Sequence, residues 1–342
     1  MFTRLLNIKL FRIIPLGTSS TCDYNLTAFL LSSISDNNFV CLDAGSLLLG
    51  IKKYVDNIKT IKTINSAPVQ SSNYFNLKNQ TLIRSKSLSD LKNKETDIIR
   101  FNIRSYVLSH AHLDHIAGLV INSQLDCNNK FIFGTHETIN NIKDHIFNWK
   151  IFPNFGNEGE GIKLNKYIYS YIDYECKYVD IPNTQFKVKS YKLCHDCSNS
   201  TAFIFKYNTH HIIYFGDTGS DSAEKTNCLD IIWNKVTKYI IDNTINGMLI
   251  EISFSTFGNK NNLFGHMNID EFINELTCLS NKIINLGKQN NPLDKLNIII
   301  THIKQNENDE TEKEIIKNHL QKYEQIFGCH FIFPEQGREI IV

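Results

Sequence analysis

No apolar run in this 342-residue chain approaches the roughly 20 residues that a bilayer-spanning helix requires, so nothing in it reads as a membrane segment. Net charge is missing as well: 36 Lys and Arg stand against 35 Asp and Glu, a formal balance of +1. No stretch is dense enough in Lys or Arg to form a local basic patch, and a nucleic-acid partner is not expected. A disulfide framework is absent too. The nine cysteines are odd in number and scattered, which in a chain this long points to reduced thiols and a cytoplasmic setting. Cys194 and Cys197 form a C-x-x-C around His195, but there is no second such pair to complete a four-thiolate site. Two ordinary thiols beside a functional histidine is the simpler account. No repeat at a solenoid period is present. The first twenty residues lack acids and carry Arg4, Lys9 and Arg12, a faint transit-peptide flavour. Residues 11–17 already read as a core strand and its turn, however, leaving only about ten residues to remove.

What is present suits one catalytic domain over residues 1–342, since apolar content is ordinary and single-core enzymes of this size are common. Short apolar strands separated by Gly, Ser, Asn and Asp are expected at 11–16, 26–32, 39–42, 103–108 and 131–134. Further strands are expected at 187–193, 201–207, 211–215, 247–252 and 296–301. Helical spacing of apolar residues predicts helices over 137–149, 229–242, 269–286 and 311–326. Residues 53–100 are rich in Lys, Asn, Ser and Thr and read as a polar, low-complexity insertion, partly helical at best. Meandering strands followed by strands alternating with helices suit an α/β architecture of two sheets packed face to face with helices outside, a four-layer αββα sandwich.

The densest chemistry lies in His110-Ala111-His112-Leu113-Asp114-His115, directly after the strand-like 105–108. Histidine and aspartate are poor core residues, and four of them together at a strand end are costly to desolvate without a partner. A borderline divalent cation is such a partner. Four more ligand-type residues close apolar strands: His195, Asp217, Glu251 and His302. Singly each is ordinary, because Asp before Gly is usually a turn residue and a lone strand-end histidine is usually structural. Their joint occurrence after the histidine cluster is what singles them out. His136, His145, His210, His211, His319 and His330 lack that context and are taken as surface or packing residues.

The same residues resemble the metallo-β-lactamase fold, and the finer detail is similar to one branch of it, the class II cyclic-nucleotide phosphodiesterases. The segments carrying the resemblance span nearly the whole chain: Ile14-Pro15-Leu16-Gly17, Leu42-Asp43-Ala44-Gly45, the histidine motif through Leu119, and His145 through Phe155 with its Phe147-Asn148-Trp149. Ser200 to Phe203, Phe215-Gly216-Asp217-Thr218-Gly219, Ile250 to Phe254 and Leu263-Phe264-Gly265-His266 complete the set. Ser46 and Ser220 depart from the residues usual there, and the loop after Gly17 is less glycine-rich. The resemblance implies a αββα sandwich of metallo-β-lactamase type holding two divalent metal ions, zinc first, with manganese, magnesium and iron also accepted by such ligands. It implies one ion on His110, His112 and His195 and a second on Asp114, His115 and His302, with Asp217 bridging.

The implied reaction is hydrolysis of cyclic AMP, with cyclic GMP as a further candidate, to the 5′-monophosphate by hydroxide that the ions activate. Asp114 then counts with the catalytic groups, and His266 is the candidate proton donor to the leaving oxygen or phosphate contact. Asp43 and Glu251 are expected to orient imidazoles rather than bind metal. Asn148, Trp149 and Phe155 are candidates to line the nucleoside pocket, against the plainer account of a helix packing its aromatic face. The partner is thus a small cyclic nucleotide; a homodimer is one assembly this allows, and oligomeric state stays open. Rival hydrolases on the same fold are a tRNA 3′-processing endonuclease, disfavoured by the neutral charge, and a thiolesterase or lactamase. A non-catalytic scaffold would be expected to have lost a ligand.

Overall fold

Strict alternation along the first strand separates two cores. In Phe11–Gly17 (β1), Phe11 and Ile13 face one apolar cluster, while Ile14 and Leu16 face another, as the two-residue period of an extended chain requires. The computed structural model describes residues 9–21, 24–66, 95–127, 129–255, 263–288, 290–304 and 309–342. Ala28–Ser33 (β2), Phe39–Leu42 (β3), Ile103–Val107 (β4), Lys130–Gly134 (β5) and Tyr167–Tyr171 (β6) continue the first sheet. Val179–Asp180 (β7), Lys187–His195 (β8), Ser198–Tyr207 (β9), His210–Phe215 (β10), Ile245–Glu251 (β11), Asn297–Thr301 (β12) and His330–Ile332 (β13) form the second. Ile340–Ile341 (β14) returns to pair with β1, so each sheet has seven strands.

Between the sheets lie Phe29, Leu31, Val40, Leu42 and Val107 from the first and Val188, Phe203, Phe205, Ile212, Tyr214 and Leu249 from the second. Helices cover the outer faces. Leu48–Ser66 (α1), Glu95–Asp97 (α2), Leu113–Asn122 (α3) and His136–His145 (α4) belong to the half of the chain that builds the first sheet. Ile51, Tyr54, Ile116, Leu119, Ile139 and Ile142 share the cluster on its outer face. Asp221–Glu224 (α5), Cys228–Ile241 (α6), Ile269–Asn285 (α7) and Asp309–Phe327 (α8) follow. Trp233, Phe272, Leu276 and Leu320 of these helices pack with Ile213, Phe215, Met248 and Ile300 of the second sheet. The result is the expected α/β sandwich of four layers.

Three local expectations need correction. The polar block does not begin at residue 53. It overlaps α1, whose Ile51, Tyr54, Val55 and Ile58 recur at helical spacing and pack inward, so its lysines and asparagines mark a solvated helix face rather than a loop. At the other end Ile98 and Ile99 are buried in a π-helical turn, Ile98–Asn102. Residues 67–94, with the near-repetitive 85–90, lie outside the described residues, as does the basic start of the chain at Arg4. The helix expected over 137–149 stops at His145. There the Asn148 side chain accepts from the backbone N–H groups of Lys150 and Ile151, both at 3.0 Å, a local bond that competes with helix. Finally, alternation with helices starts early: β3, β4, β5 and β6 are already mutually parallel.

That parallel pairing is what positions the functional end of the molecule. After β3 the chain turns through Asp43, in the left-handed region at φ 48°, and lays Ala44 and Gly45 against α3. Gly118 N donates to Gly45 O at 2.8 Å and Leu119 N to Ala44 O at 3.0 Å. The approach is so close that a Cβ on Gly45 would stand 2.0 Å from the Asp114 carbonyl oxygen, and one on Gly118 would stand 2.7 Å from Ala44 O. Glycine is therefore required where the two backbones touch. Gly45→Ala is expected to lower stability by about 1–3 kcal/mol through this overpacking, read as a lower urea midpoint; an unchanged midpoint would contradict the close approach.

Candidate metal centre

Carboxyl ends of parallel strands are where open α/β sheets gather polar loops, and here both sheets deliver them to one place. Beyond β4 the chain bends at Ser109 and passes through residues 110–112 before α3 begins. His112 is the residue before the helix, at φ −65° and ψ 148°. Extended backbone sends His110 and His112 to the same side, and their rings lie 4.5 Å apart. The first turn of α3 then presents Asp114 and His115, a carboxylate at the helix end that favours negative charge. His195 ends β8, where a two-residue turn carries the chain into β9. Asp217 follows β10, Glu251 closes β11, and His302 follows β12 at φ 59°. A non-glycine residue in that region is strained, and such strain concentrates at functional sites.

The side chains converge. His110, His112 and His195 form one group whose ligand atoms lie within 4.8 Å of one another, and Asp114, His115, Asp217 and His302 form a second. Asp217 stands between them. Its Oδ2 is 3.1 Å from His302 Nε2, 3.2 Å from His115 Nε2, and 3.8 Å from both His110 Nε2 and His195 Nε2. Outside this ring, three of the imidazoles are oriented through their other nitrogen. His115 Nδ1 donates to Asp43 Oδ2 at 2.7 Å, and Asp43 is itself held by the N–H and hydroxyl of Ser109 and by the Tyr214 hydroxyl. His195 Nδ1 donates to the Gly265 carbonyl at 2.8 Å. Gly265 is glycine because φ is 76° there and a Cβ would sit 2.7 Å from His195 Nδ1. His302 Nδ1 meets Ser253 Oγ at 3.1 Å, and that hydroxyl donates onward to Glu251.

Without cations this arrangement is incomplete. His110 Nε2 is buried and has no hydrogen-bond partner, a costly state for a polar atom. His115 and His302 turn their Nε2 atoms toward each other at 3.3 Å, although their Nδ1 atoms already face acceptors, so two lone pairs would meet. Electrostatics register the same deficit. Burial, reinforced by the neighbouring imidazoles, drives His110 well below its ordinary pKa. Burial also opposes charge on His115 and His302, but the surrounding carboxylates outweigh it: Asp217, Asp43 and Asp114 raise His115, and Asp217, Asp114 and Glu251 raise His302 to about 9. Asp217, despite its burial, is held well below the usual carboxylate range by His115 and His302. Protons stand in for missing positive charge. Imidazole nitrogen and carboxylate oxygen converging in two groups around a shared carboxylate fit two divalent cations.

His266 joins the cluster from the loop before α7. Its Nδ1 lies 3.1 Å from both oxygens of Glu251 and 3.9 Å from Asp217 Oδ2, and its ring stacks on His302 at 5.0 Å. The contacts of the candidate nucleoside-lining residues are local ones. Asn148 spends its side chain on its own turn. Trp149, at φ 64°, donates its indole N–H to Ile162 O and borders a shallow cleft with Lys150, Glu160 and Gly161. Phe155 packs in the core with Phe147, Phe152 and Tyr167. Phe155 is tied to β6, its carbonyl accepting from Tyr167 N at 2.9 Å, two strand spacings, or about 10 Å, from β4. Sequence reasoning passed over Ser109, Tyr214 and Ser253, which hold the orienting carboxylates; no periodicity marks such residues. It also passed over Leu113 and Phe264, each 66% exposed beside the ligands, where an apolar side chain left in water inside a ligand motif was the available signal.

Comparisons with known proteins agree on this assembly. The family described as class-II cAMP phosphodiesterases matches residues 12–337. The 3′,5′-cyclic-nucleotide phosphodiesterase of Aliivibrio fischeri is 36% identical over 320 residues, covering 92% of this chain and 87% of that protein. The probable 3′,5′-cyclic-nucleotide phosphodiesterase of Yersinia pestis is 31% identical, covering 97% and 89%. Among solved structures, unliganded yeast PDE1 matches with a TM-score of 0.77 at 20% identity, over 98% of this chain and 100% of that one. The metallo-β-lactamase fold protein YhfI of Bacillus subtilis matches at 0.53 and 13%, over 98% and 100%. At such identities the two structures speak for the fold alone, while the family match and the bacterial relatives run almost end to end. The chain belongs to the class II cyclic-nucleotide phosphodiesterase family, built on the metallo-β-lactamase fold.

Proposed function

We propose that this protein hydrolyses the 3′ ester of cyclic AMP, with cyclic GMP as a second substrate, to the nucleoside 5′-monophosphate. The observation that carries the proposal is Asp217, one buried carboxylate with five imidazole nitrogens between 3.1 and 3.9 Å from it. His110, His112 and His195 would hold one cation and Asp114, His115 and His302 the other, with Asp217 shared; the nitrogen and oxygen donor set favours zinc. When bound, such a pair lowers the pKa of a water between them and draws charge from phosphoryl oxygens.

The chain's own groups supply the rest. Asp43 fixes His115, and Gly265 fixes His195, each through the nitrogen that does not face the centre. As water adds to phosphorus and the bond to the 3′ oxygen breaks, the electron pair stays on that oxygen and needs a proton. We assign that donation to His266, whose ring lies beside His302 and Glu251. With Nδ1 directed at Glu251, Nε2 is the nitrogen left to face the leaving oxygen. Eight cysteines among the described residues are free thiols, which supports a reducing, cytoplasmic setting. No described helix is long and apolar enough to cross a membrane.

Three measurements test this. Purified protein given cyclic AMP, cyclic GMP or a simple aryl phosphodiester is expected to release 5′-monophosphate from the cyclic nucleotides, and a chelator is expected to stop it. Turnover that survives exhaustive chelation would sink the proposal. Asp217→Ala is expected to reduce kcat/KM by about a thousand-fold or more, and near-normal activity in a metal-replete sample would refute the shared ligand. His266→Ala is expected to lower kcat by about 10²–10⁴-fold with metal content intact. Should metal analysis instead show lost cations, His266 is a ligand and not the proton donor.

A further inference from the structure

Two residues beyond His302, Lys304 brings a positive charge to the rim of the centre and pairs with no carboxylate among the described residues. Its position is fixed by backbone. Lys304 N donates to Ser253 O at 3.0 Å, and Ser253 N donates to Met267 O at 2.9 Å. Phe254 bridges to Asn268, so the ends of β11 and β12 and the segment after His266 are tied together. Lys304 is half-buried, its ammonium 5.3 Å from the centre of the Phe254 ring, and that ring meets His266 edge-on at 6.3 Å. Stacking over an aromatic face restrains a side chain that would otherwise sample many rotamers.

The carboxylates nearby are already engaged: Glu251 by His266, Ser253 and Thr218, and Asp217 and Asp114 by the imidazoles. A restrained ammonium with no carboxylate partner among the described residues, separated from the proposed proton donor by one aromatic ring, is suited to an incoming anion. We propose that Lys304, steadied by Phe254, is the phosphate-recognition residue of this site. It would attract the singly charged phosphoryl group of the cyclic nucleotide and hold the doubly charged monophosphate product more strongly. This rests on the substrate class proposed above, but the charge logic applies to any phosphate ester.

The test uses the metal-loaded full chain and inorganic phosphate as probe, with Lys304→Met and Lys304→Arg beside the unaltered protein. Calorimetry is expected to show phosphate binding about ten-fold weaker in K304M and largely restored in K304R, with metal content equal in all three. With cyclic AMP, K304M is expected to raise KM more than it lowers kcat. The salt dependence of kcat/KM should flatten as one charge leaves the approach path. Phosphate affinity in K304M equal to that of the unaltered protein overturns the inference. Phosphate binding that depends on Lys304, in a protein inert toward cyclic nucleotides, would uphold this site while overturning the substrate proposal.

Discussion

One buried carboxylate sets the terms for the rest of the molecule. Asp217 lies among imidazoles drawn from α3, the β8–β9 turn, the end of β12 and the loop before α7, and none of those elements would tolerate the others' ligands without compensating positive charge. Two protonated histidines can neutralise part of the cluster, but they leave His110 Nε2 unpartnered. Divalent cations would satisfy these atoms together, because a cation accepts several lone pairs where a proton accepts two at most. The donor set and its charge balance thus suit a pair of divalent cations.

Holding such a cluster costs backbone freedom, and the cost falls at identifiable residues. Asp43 and His302 both occupy left-handed backbone, at about 1–3 kcal/mol each. The strain is supported from outside: His302 N donates to Thr18 O at 2.9 Å, and Asp43 N donates to Val107 O at 2.9 Å. Behind these bonds stand three apolar clusters that bury both faces of both sheets. Rigid strands with strained ends place ligands more reproducibly than mobile loops do, and the active end of this protein is made almost wholly of strand termini.

Much of this was legible in the sequence. The strands at 39–42, 103–108, 211–215 and 296–301 announce themselves as short apolar runs, each followed by Asp or His, and the structure ends a strand at or beside each of those residues. Elsewhere one signal carried two meanings. Lys, Asn and Thr over 52–60 look like a loop in composition, yet Ile51, Tyr54, Val55 and Ile58 give the helical period that composition conceals. Trp149 and Phe155 look like a binding surface, yet one sits against the backbone of Gly161 and the other under Lys166. Aromatic content does not distinguish a pocket from a core. The groups that hold Asp43 and Glu251 in place are hydroxyls of Ser109, Tyr214 and Ser253, whose partners are distant in sequence, and only the folded chain brings them together.

The division of ligands between the two halves of the chain has a thermodynamic consequence. The first half supplies His110, His112, Asp114 and His115; the second supplies His195, Asp217 and His302. Neither proposed cation set belongs to one sheet, since each draws on both. A site split across the sandwich cannot form before the inter-sheet core of Phe29, Val40, Phe203 and Leu249 is in register. Occupancy therefore reports on completed folding, and cations that bind only the folded chain add their binding free energy to its stability. The same cations that supply the chemistry would then tie the two sheets together at the end where the strained strand termini meet.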